Sequence, residues 1–431
     1  MTVEQTIFAL SSGAGPAAIG VIRVSGADAR QALIALAGIL PEPRRVSLRT
    51  LRDANGAVLD KALVLWLPGP NTPTGEDCAE FHCHGGRAVL RSVEQALGAL
   101  AGLRPAEPGE FTRRAFANGR IDLAQAEGLA DLLSAETELQ RAAALAYVEG
   151  SVSARFEHWR EVVLQVSAKV EAVLDFGDED DVGGEEQGLS STARTVLSEL
   201  EGELREWLAR PYAEKLGQGF RIVLAGPPNS GKSTLFNALV QAEAAITSPI
   251  AGTTRDVIER SVGMSGIPMT FVDTAGIRPI GSDAVEAIGI ERAQAQFAQA
   301  DLVLWLGPEG EGPAGAWEIA AREDAADFVA KRGSLFTVSA QTGARMEELR
   351  AALLETARAA MPKPGEAALN ARQREHVGEV ARALAAAAEL ADPLLLAEEL
   401  RRARLALDRL IGRATTEDML DALFGRFCIG K

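Results

Sequence analysis

Gly226, Gly231, Lys232 and Ser233 fall at the spacing GxxxxGK[ST] within the stretch RIVLAGPPNSGKSTLFNALV, residues 221–240. That spacing suits phosphate. Backbone N–H groups of a glycine-rich turn close around phosphate oxygens, and the helix start behind them adds partial positive charge. Lys232 has the reach for β- and γ-phosphates, and Ser233 carries the hydroxyl for Mg²⁺. Asn229, Ser230 and Thr234 complete the predicted nucleotide loop. Such a loop works only between a strand and a helix, and the sequence supplies both. Five residues of strand character, 221–225, precede it, and Leu235, Phe236, Leu239 and Val240 follow at helical spacing. The sequence therefore predicts a nucleoside triphosphate site.

Three further blocks narrow the nucleotide. AGTTRD (251–256) lies where a GTPase places its first switch, with Thr253 and Thr254 to close over Mg²⁺ and the γ-phosphate. Asp273, Thr274, Ala275 and Gly276 end an apolar strand as DxxG, an aspartate behind Mg²⁺ and a glycine N–H facing the γ-phosphate. Ser339 and Ala340 end another strand and fit the pair that lies against guanine. Their order predicts a GTPase. Two departures stand out. Ile277 occupies the place of the glutamine that orients water in Ras-like enzymes, so another group must do that work. The guanine-reading NKxD is represented only by Ala321-Arg322-Glu323-Asp324. Asp324 keeps the carboxylate for N1–H and the exocyclic amine, but the asparagine is gone. The poorer pocket predicts weaker discrimination of GTP from ATP.

These residues need a scaffold. From about residue 217 to 360 apolar strands (221–225, 269–273, 301–306, 334–338) alternate with helical stretches, the pattern of a doubly wound α/β sheet. Residues 119–215 and 370–425 are Ala-, Leu- and Glu- or Arg-rich with few breakers and predict helices. The α/β unit thus reads as inserted into a discontinuous helical domain. Residues 1–118 mix strands (18–24, 62–67, 78–82) with one helix near 87–103. The expected domains are 1–118, 119–215, 216–364 and 365–431.

In bulk the chain has 431 residues, 47% of them hydrophobic, which gives ample core for several domains. A formal charge of −16 argues against a protein that coats nucleic acid by bulk charge. It leaves room for a local patch such as Arg401, Arg402, Arg404, Arg409 and Arg413, a solvated helix face or a contact for nucleic-acid phosphates. Three cysteines and no apolar run of about 18 residues predict a cytoplasmic protein without a membrane span. His82 and His84 share a strand face, but no ligand set accompanies them and a metal there is not expected.

Across nearly its whole length the chain resembles the MnmE (TrmE) family of tRNA-modification GTPases. The segments that carry the resemblance are GVIRVSG (20–26), PTGEDCAEFHCHGG (73–86), PGEFTRRAFANGRIDLAQAEGLADL (108–132), GPPNSGKS, AGTTRD, DTAGIR, VEAIGIERA (285–293) and the terminal FCIGK. The resemblance implies a K⁺-activated GTPase whose G domains meet across the nucleotide in a homodimer. Asn229 matches the family's K⁺ asparagine. Ser248, Ile250 and Thr253 fall at the other K⁺ positions, serine replacing the more usual threonine at 248. Ser233 and Thr254 match the Mg²⁺ positions, and Glu286 the catalytic glutamate.

The resemblance also implies a folate-binding N-terminal domain. Arg23, Glu80, Arg120 and Lys431 match its contacts to a 5-formyl-type tetrahydrofolate, Arg120 standing where relatives often have lysine. Cys428 matches a cysteine associated with the modification reaction, in a chemical or a structural role. The implied partners are tRNA and the FAD protein MnmG. The implied product is a carboxymethylaminomethyl or aminomethyl group on C5 of a wobble uridine. Two rivals remain, a ribosome-assembly GTPase of the Era kind and a folate-responsive switch without tRNA chemistry.

Overall fold

A computed structural model describes residues 5–13, 15–176, 191–241, 244–245, 258–274, 295–326, 328, 330–363, 365–414 and 416–430. The chain forms two compact units, Met1–Ala130 with Asp408–Lys431, and Asp131–Leu407.

The first unit is built on a six-stranded sheet of order β3-β4-β5-β2-β1-β6. Its strands are β1 (Thr6–Leu10), β2 (Ile19–Ser25), β3 (Ser47–Arg52), β4 (Val58–Leu67), β5 (Cys78–His84) and β6 (Leu103–Pro105). All neighbours are antiparallel except β1 and β6. Helices Ala29–Ala37 and Arg87–Gly98 cover one face, where Leu33, Leu36, Leu90, Val93 and Leu97 meet Ile22, Val24 and Phe81. The helix expected over 87–103 ends early because Leu103 is drawn into β6 beside Thr6.

The end of the chain belongs to this unit. Leu420, Leu423, Phe424 and Phe427 share a core with Leu123 and Ala126. Arg113 reaches Glu417, and its Nη1 reaches Asp421 at 2.8 Å. Ile429 bridges to Pro108.

The second unit combines a helical bundle with a seven-stranded sheet of order β13-β12-β11-β7-β10-β9-β8. The strands are β7 (Phe220–Ala225), β8 (Ala244–Ala245), β9 (Ile258–Met264), β10 (Ile267–Asp273), β11 (Leu302–Trp305), β12 (Trp317–Ala321) and β13 (Phe336–Val338). The five strands β13, β12, β11, β7 and β10 run parallel. Helices Lys232–Gln241 and Met346–Ala360 bury Leu235, Phe236, Leu239, Leu349 and Leu353 against Ile222, Leu224, Phe271, Leu304 and Ile319.

The bundle helices Glu138–Val148 and Ala371–Glu389 both open with capping boxes, Thr137 with Gln140 and Asn370 with Gln373. Each box satisfies two otherwise orphaned backbone groups. Tyr147 ties the two helices by donating to Ala368 O at 2.7 Å and meeting Gln373 Oε1 at 2.9 Å.

The expected alternation of strand and helix gives out at β11–β13. Among the described residues, 306–316 and 322–335 cross between parallel strands without a helix. Polar stitches stand in for the missing helices. Lys331 Nζ binds Glu318 Oε2 at 2.8 Å and Trp305 O at 3.2 Å. Glu309 accepts from the N–H groups of Arg332 and Gly333 at 3.0 and 2.6 Å. Trp305 Nε1 donates to Pro308 O at 2.8 Å. β12 itself, a five-residue strand interrupted by Glu318, has no expectation in the sequence.

Candidate nucleotide and one-carbon sites

β7 delivers the chain into the phosphate loop at Gly226, φ 144°. A Cβ there would stand 2.8 Å from Gly307 N, so only glycine permits the close approach. Asn229 sits at φ 62° and Gly231 at φ 97°, the conformations that turn successive N–H groups inward. Lys232 begins the helix and is 5% exposed. Its Nζ donates to the carbonyls of Gly226 and Pro227 at 2.8 and 2.7 Å. Burial holds its pKa below the usual lysine value, and the Asp273 charge works against that shift. The loop's own carbonyls thus hold two of the three ammonium donors and aim the side chain along the loop.

Asp273 is buried at the end of β10, and Thr274 Oγ1 donates to Leu224 O at 2.8 Å. Ser233 is exposed at the helix start. A carboxylate and a hydroxyl here are the hard oxygen donors that Mg²⁺ takes, so the donor set fits that ion. Ser230 Oγ is buried without a partner among the described residues.

A cavity of about 280 Å³ opens beside the loop, between Gly231, Thr234 and Leu235 on one side and Ala321, Arg322, Asp324, Ala325, Val338, Ala340 and Gln341 on the other. Asp324 is held by its Oδ1, which accepts from Ser339 Oγ. Arg322, at φ 65°, donates from Nη1 to Asn229 O at 3.3 Å and so spans from β12 to the phosphate loop. Parallel register brings these groups together: β12 and β13 pair Ala321 with Val338, one residue before Ser339.

In the first unit, β2 and β5 pair Arg23 with Glu80. Arg23 Nε and Nη2 both donate to Glu80 Oε1, at 3.0 and 2.9 Å, and His82 Nε2 meets Oε2 at 3.0 Å. Burial pushes the Glu80 pKa up, but the His82 hydrogen bond and the Arg23 charge outweigh it, leaving the pKa below the usual carboxylate range. His84 is spoken for by Asp60, at 2.7 Å. Two residues along β2 from Arg23, Ser25 Oγ donates to Glu76 Oε2 at 2.6 Å. Glu76 is gripped in turn by buried Arg114 at 3.1 Å.

Arg120 is exposed, and its Cγ lies 3.3 Å from the position of a Cβ built on Gly75. The terminal segment reaches the same sheet. Gly430, φ 93°, is buried so tightly that a Cβ would stand 2.1 Å from Leu10 O, at the end of β1. Ala9, one residue earlier, pairs with Arg23. Phe427 is buried, while Cys428 is a free, exposed thiol. The structure thus gathers Arg23, Glu80, the loop beside Arg120 and the segment 427–430 on one unit.

Ser248, Ile250, Thr253, Thr254, Ala275, Gly276, Glu286 and Lys431 lie outside the described residues. Of the basic cluster, Arg401 and Arg402 are engaged with Glu398 and Glu399, which favours a solvated, paired helix face. His82 was missed as a neighbour of Glu80. The alternation in CAEFHCH, which sets Glu80 and His82 on one strand face, was the available signal.

A glycine-rich phosphate loop on a parallel sheet, an aspartate at the neighbouring strand end and a carboxylate in the adjoining cavity define a P-loop GTPase. Comparison with known proteins specifies it further. A model of the MnmE helical domain matches residues 123–428, and one of the GTP-binding protein TrmE N-terminus matches residues 6–120. The tRNA modification GTPase MnmE of Erythrobacter litoralis is 60% identical over 99% of this chain and 100% of its own. Those of Novosphingobium aromaticivorans and Zymomonas mobilis are 60% and 47% identical, over 100% and 99% of this chain and the whole of theirs. Among solved structures, Aquifex aeolicus Era bound to GDP and AlF₄⁻ is 23% identical, covering 38% of this chain and 66% of that one at a TM-score of 0.24. The chain belongs to the MnmE (TrmE) family of tRNA modification GTPases.

Proposed function

We propose that this chain is a K⁺-activated GTPase that works with the FAD protein MnmG on the wobble uridine of certain tRNAs. It adds a carboxymethylaminomethyl or aminomethyl group at C5, with tetrahydrofolate supplying the one-carbon unit. The observation that carries the reading is the gathering of four sequence-distant segments, those of Arg23, Glu80, Arg120 and 427–430, on one unit of the chain that also holds the phosphate loop. Glu80 offers a carboxylate to the N–H edge of a pterin. Arg23 keeps that carboxylate charged and aimed, and Arg120 and Lys431 offer positive charge to the ligand's carboxylates. Cys428 stands exposed three residues before Lys431.

At the other site Lys232 serves the β- and γ-phosphates, and Ser233 and Thr254 would hold Mg²⁺ with Asp273 behind it. Asn229, Ser248, Ile250 and Thr253 hold K⁺ when a second copy of the module closes over the nucleotide. Bound K⁺ supplies the positive charge that an arginine finger supplies elsewhere. Glu286 orients the attacking water in place of the absent glutamine. The domains run 1–118, 119–215, 216–364 and 365–431, in a cytoplasmic homodimer.

Analysis of wobble uridines in a deletion strain tests the whole: unmodified C5 is expected, and normal modification would defeat the assignment. Glu286→Ala should keep GTP affinity and abolish turnover, measured by phosphate release. Undiminished turnover removes that residue from the mechanism.

A further inference from the structure

Arg23 and His82 hold different oxygens of Glu80. Both donors of Arg23, Nε and Nη2, converge on Oε1, while His82 Nε2 meets Oε2 at 3.0 Å. A carboxylate has about four lone-pair sites, two on each oxygen. Arg23 therefore fills Oε1, and His82 takes one site on Oε2. A single site is left, on Oε2. The last torsion of a glutamate is broad, without sharp staggered wells. A grip on Oε1 alone would let Oε2 swing about it, and the bond to His82 removes that freedom. Glu80 is charged, its pKa lying below the usual carboxylate range, so it only accepts and His82 must donate from Nε2. Val21 and Leu63 stand in register with His82 on the flanking strands, and neither side chain can compete for that proton. The side chains of Arg23, Glu80 and His82 stay partly exposed, at 24%, 14% and 30%, within reach of a ligand.

We propose that His82 is a positioning residue of the one-carbon site, its Nε2–H fixing the Glu80 oxygen that accepts from the pterin edge. The inference rests on the assignment of Glu80 to that edge. His82 acts through Glu80 and does not itself meet the ligand. Arg23 anchors one oxygen, and His82 turns the other so that its remaining lone pair has one direction.

The experiment compares His82→Gln with His82→Asn in the full chain. Glutamine carries an amide N–H donor at the reach of Nε2, and asparagine stops short of it. By calorimetry with 5-formyltetrahydrofolate, His82→Gln should bind within about twofold of the unmodified chain. His82→Asn should bind about tenfold more weakly, the effect of one lost charge-assisted hydrogen bond. A second readout needs no ligand. The Glu80 carboxyl resonance, followed in a chain with isotope-labelled glutamate and assigned by its absence from Glu80→Gln, should titrate at a higher pH in His82→Asn. In His82→Gln it should stay in place, because the donor that favours the charged form persists. Both variants should unfold at the temperature of the unmodified chain, and a binding loss confined to a variant that unfolds early overturns the inference. Equal affinities in the two variants overturn it as well. Weaker folate binding by His82→Asn with an unmoved Glu80 titration would put His82 on the ligand itself and remove the positioning role. Absence of folate binding by the unmodified chain defeats the assignment of the site, and the inference with it.

Discussion

Cys428, Cys83 and Cys78 share one side-chain chemistry and differ only in surroundings. Cys428 is exposed; the other two are buried. Burial, with the Asp60 charge adding to it, pushes the Cys83 thiol up to about 12. Because the thiolate is the nucleophile, Cys83 remains protonated and inert at ordinary pH. Alkylation of the native protein at pH 8 should therefore label one thiol quickly, and Cys428→Ser should abolish that fast phase. Three equally fast thiols would contradict the burial described here. The same contrast applies to charge. Glu80 keeps a low pKa because Arg23 and His82 face it, and neither neighbour is adjacent to it in sequence. Alternation along β5 held the signal for His82 beside Glu80, which went unread, and only strand pairing brought Arg23 there.

At the scale of elements, the two helix-less crossovers carry the strand ends that shape the base cavity. Lys331 and Glu318 are nearly buried, with side chains 11% and 18% exposed. Lys331→Met would leave the Glu318 carboxylate without its cation, a loss of about 1–3 kcal/mol that urea denaturation should detect. An unchanged midpoint would mean the stitch is dispensable. The terminal segment depends on a different feature. Gly430 lies in the left-handed region against Leu10 O, so Gly430→Ala strains the backbone and meets a carbonyl at once. That variant should lose binding of 5-formyltetrahydrofolate by calorimetry while GTP binding persists. Retained folate binding would detach the terminal segment from the one-carbon site. No sequence pattern announces these crossovers, because 306–316 and 322–335 are rich in glycine, proline, alanine and charge, and read simply as loops.

For the whole molecule, two compact units with a ligand assigned to each predict separable responses to ligand. A ligand at about 100 times its Kd stabilises the state that binds it by about 2.7 kcal/mol. A non-hydrolysable GTP analogue should raise the unfolding transition of the unit that holds the phosphate loop, followed by Trp305 and Trp317. The folate should raise that of the other unit, followed by Trp66. The proposed engine makes its own demand: turnover in K⁺ should exceed turnover in Na⁺ many-fold. Equal rates would remove the cation from the active centre. The acidic total charge says little about any of this, since it averages over the engaged pairs on the helix at Arg401 and Arg402.

The phosphate loop, its strand and its helix were legible in the residues, because glycine, lysine and serine at that spacing meet a local requirement of backbone geometry. The helical stretches were legible for a similar reason, in periodicity and the absence of breakers. The interior of the base cavity was not. Asp324 meets Ser339 only because β12 and β13 pair in parallel, with Ala321 opposite Val338. The neighbourhood of Arg23 depended on non-local pairing even more. Its carboxylate partner lies 57 residues away, and Gly430 packs against the end of β1, the strand that pairs with β2. Local spacing is written in sequence order; strand register and close packing are set by the folded core, where residues with no sequence relation become neighbours.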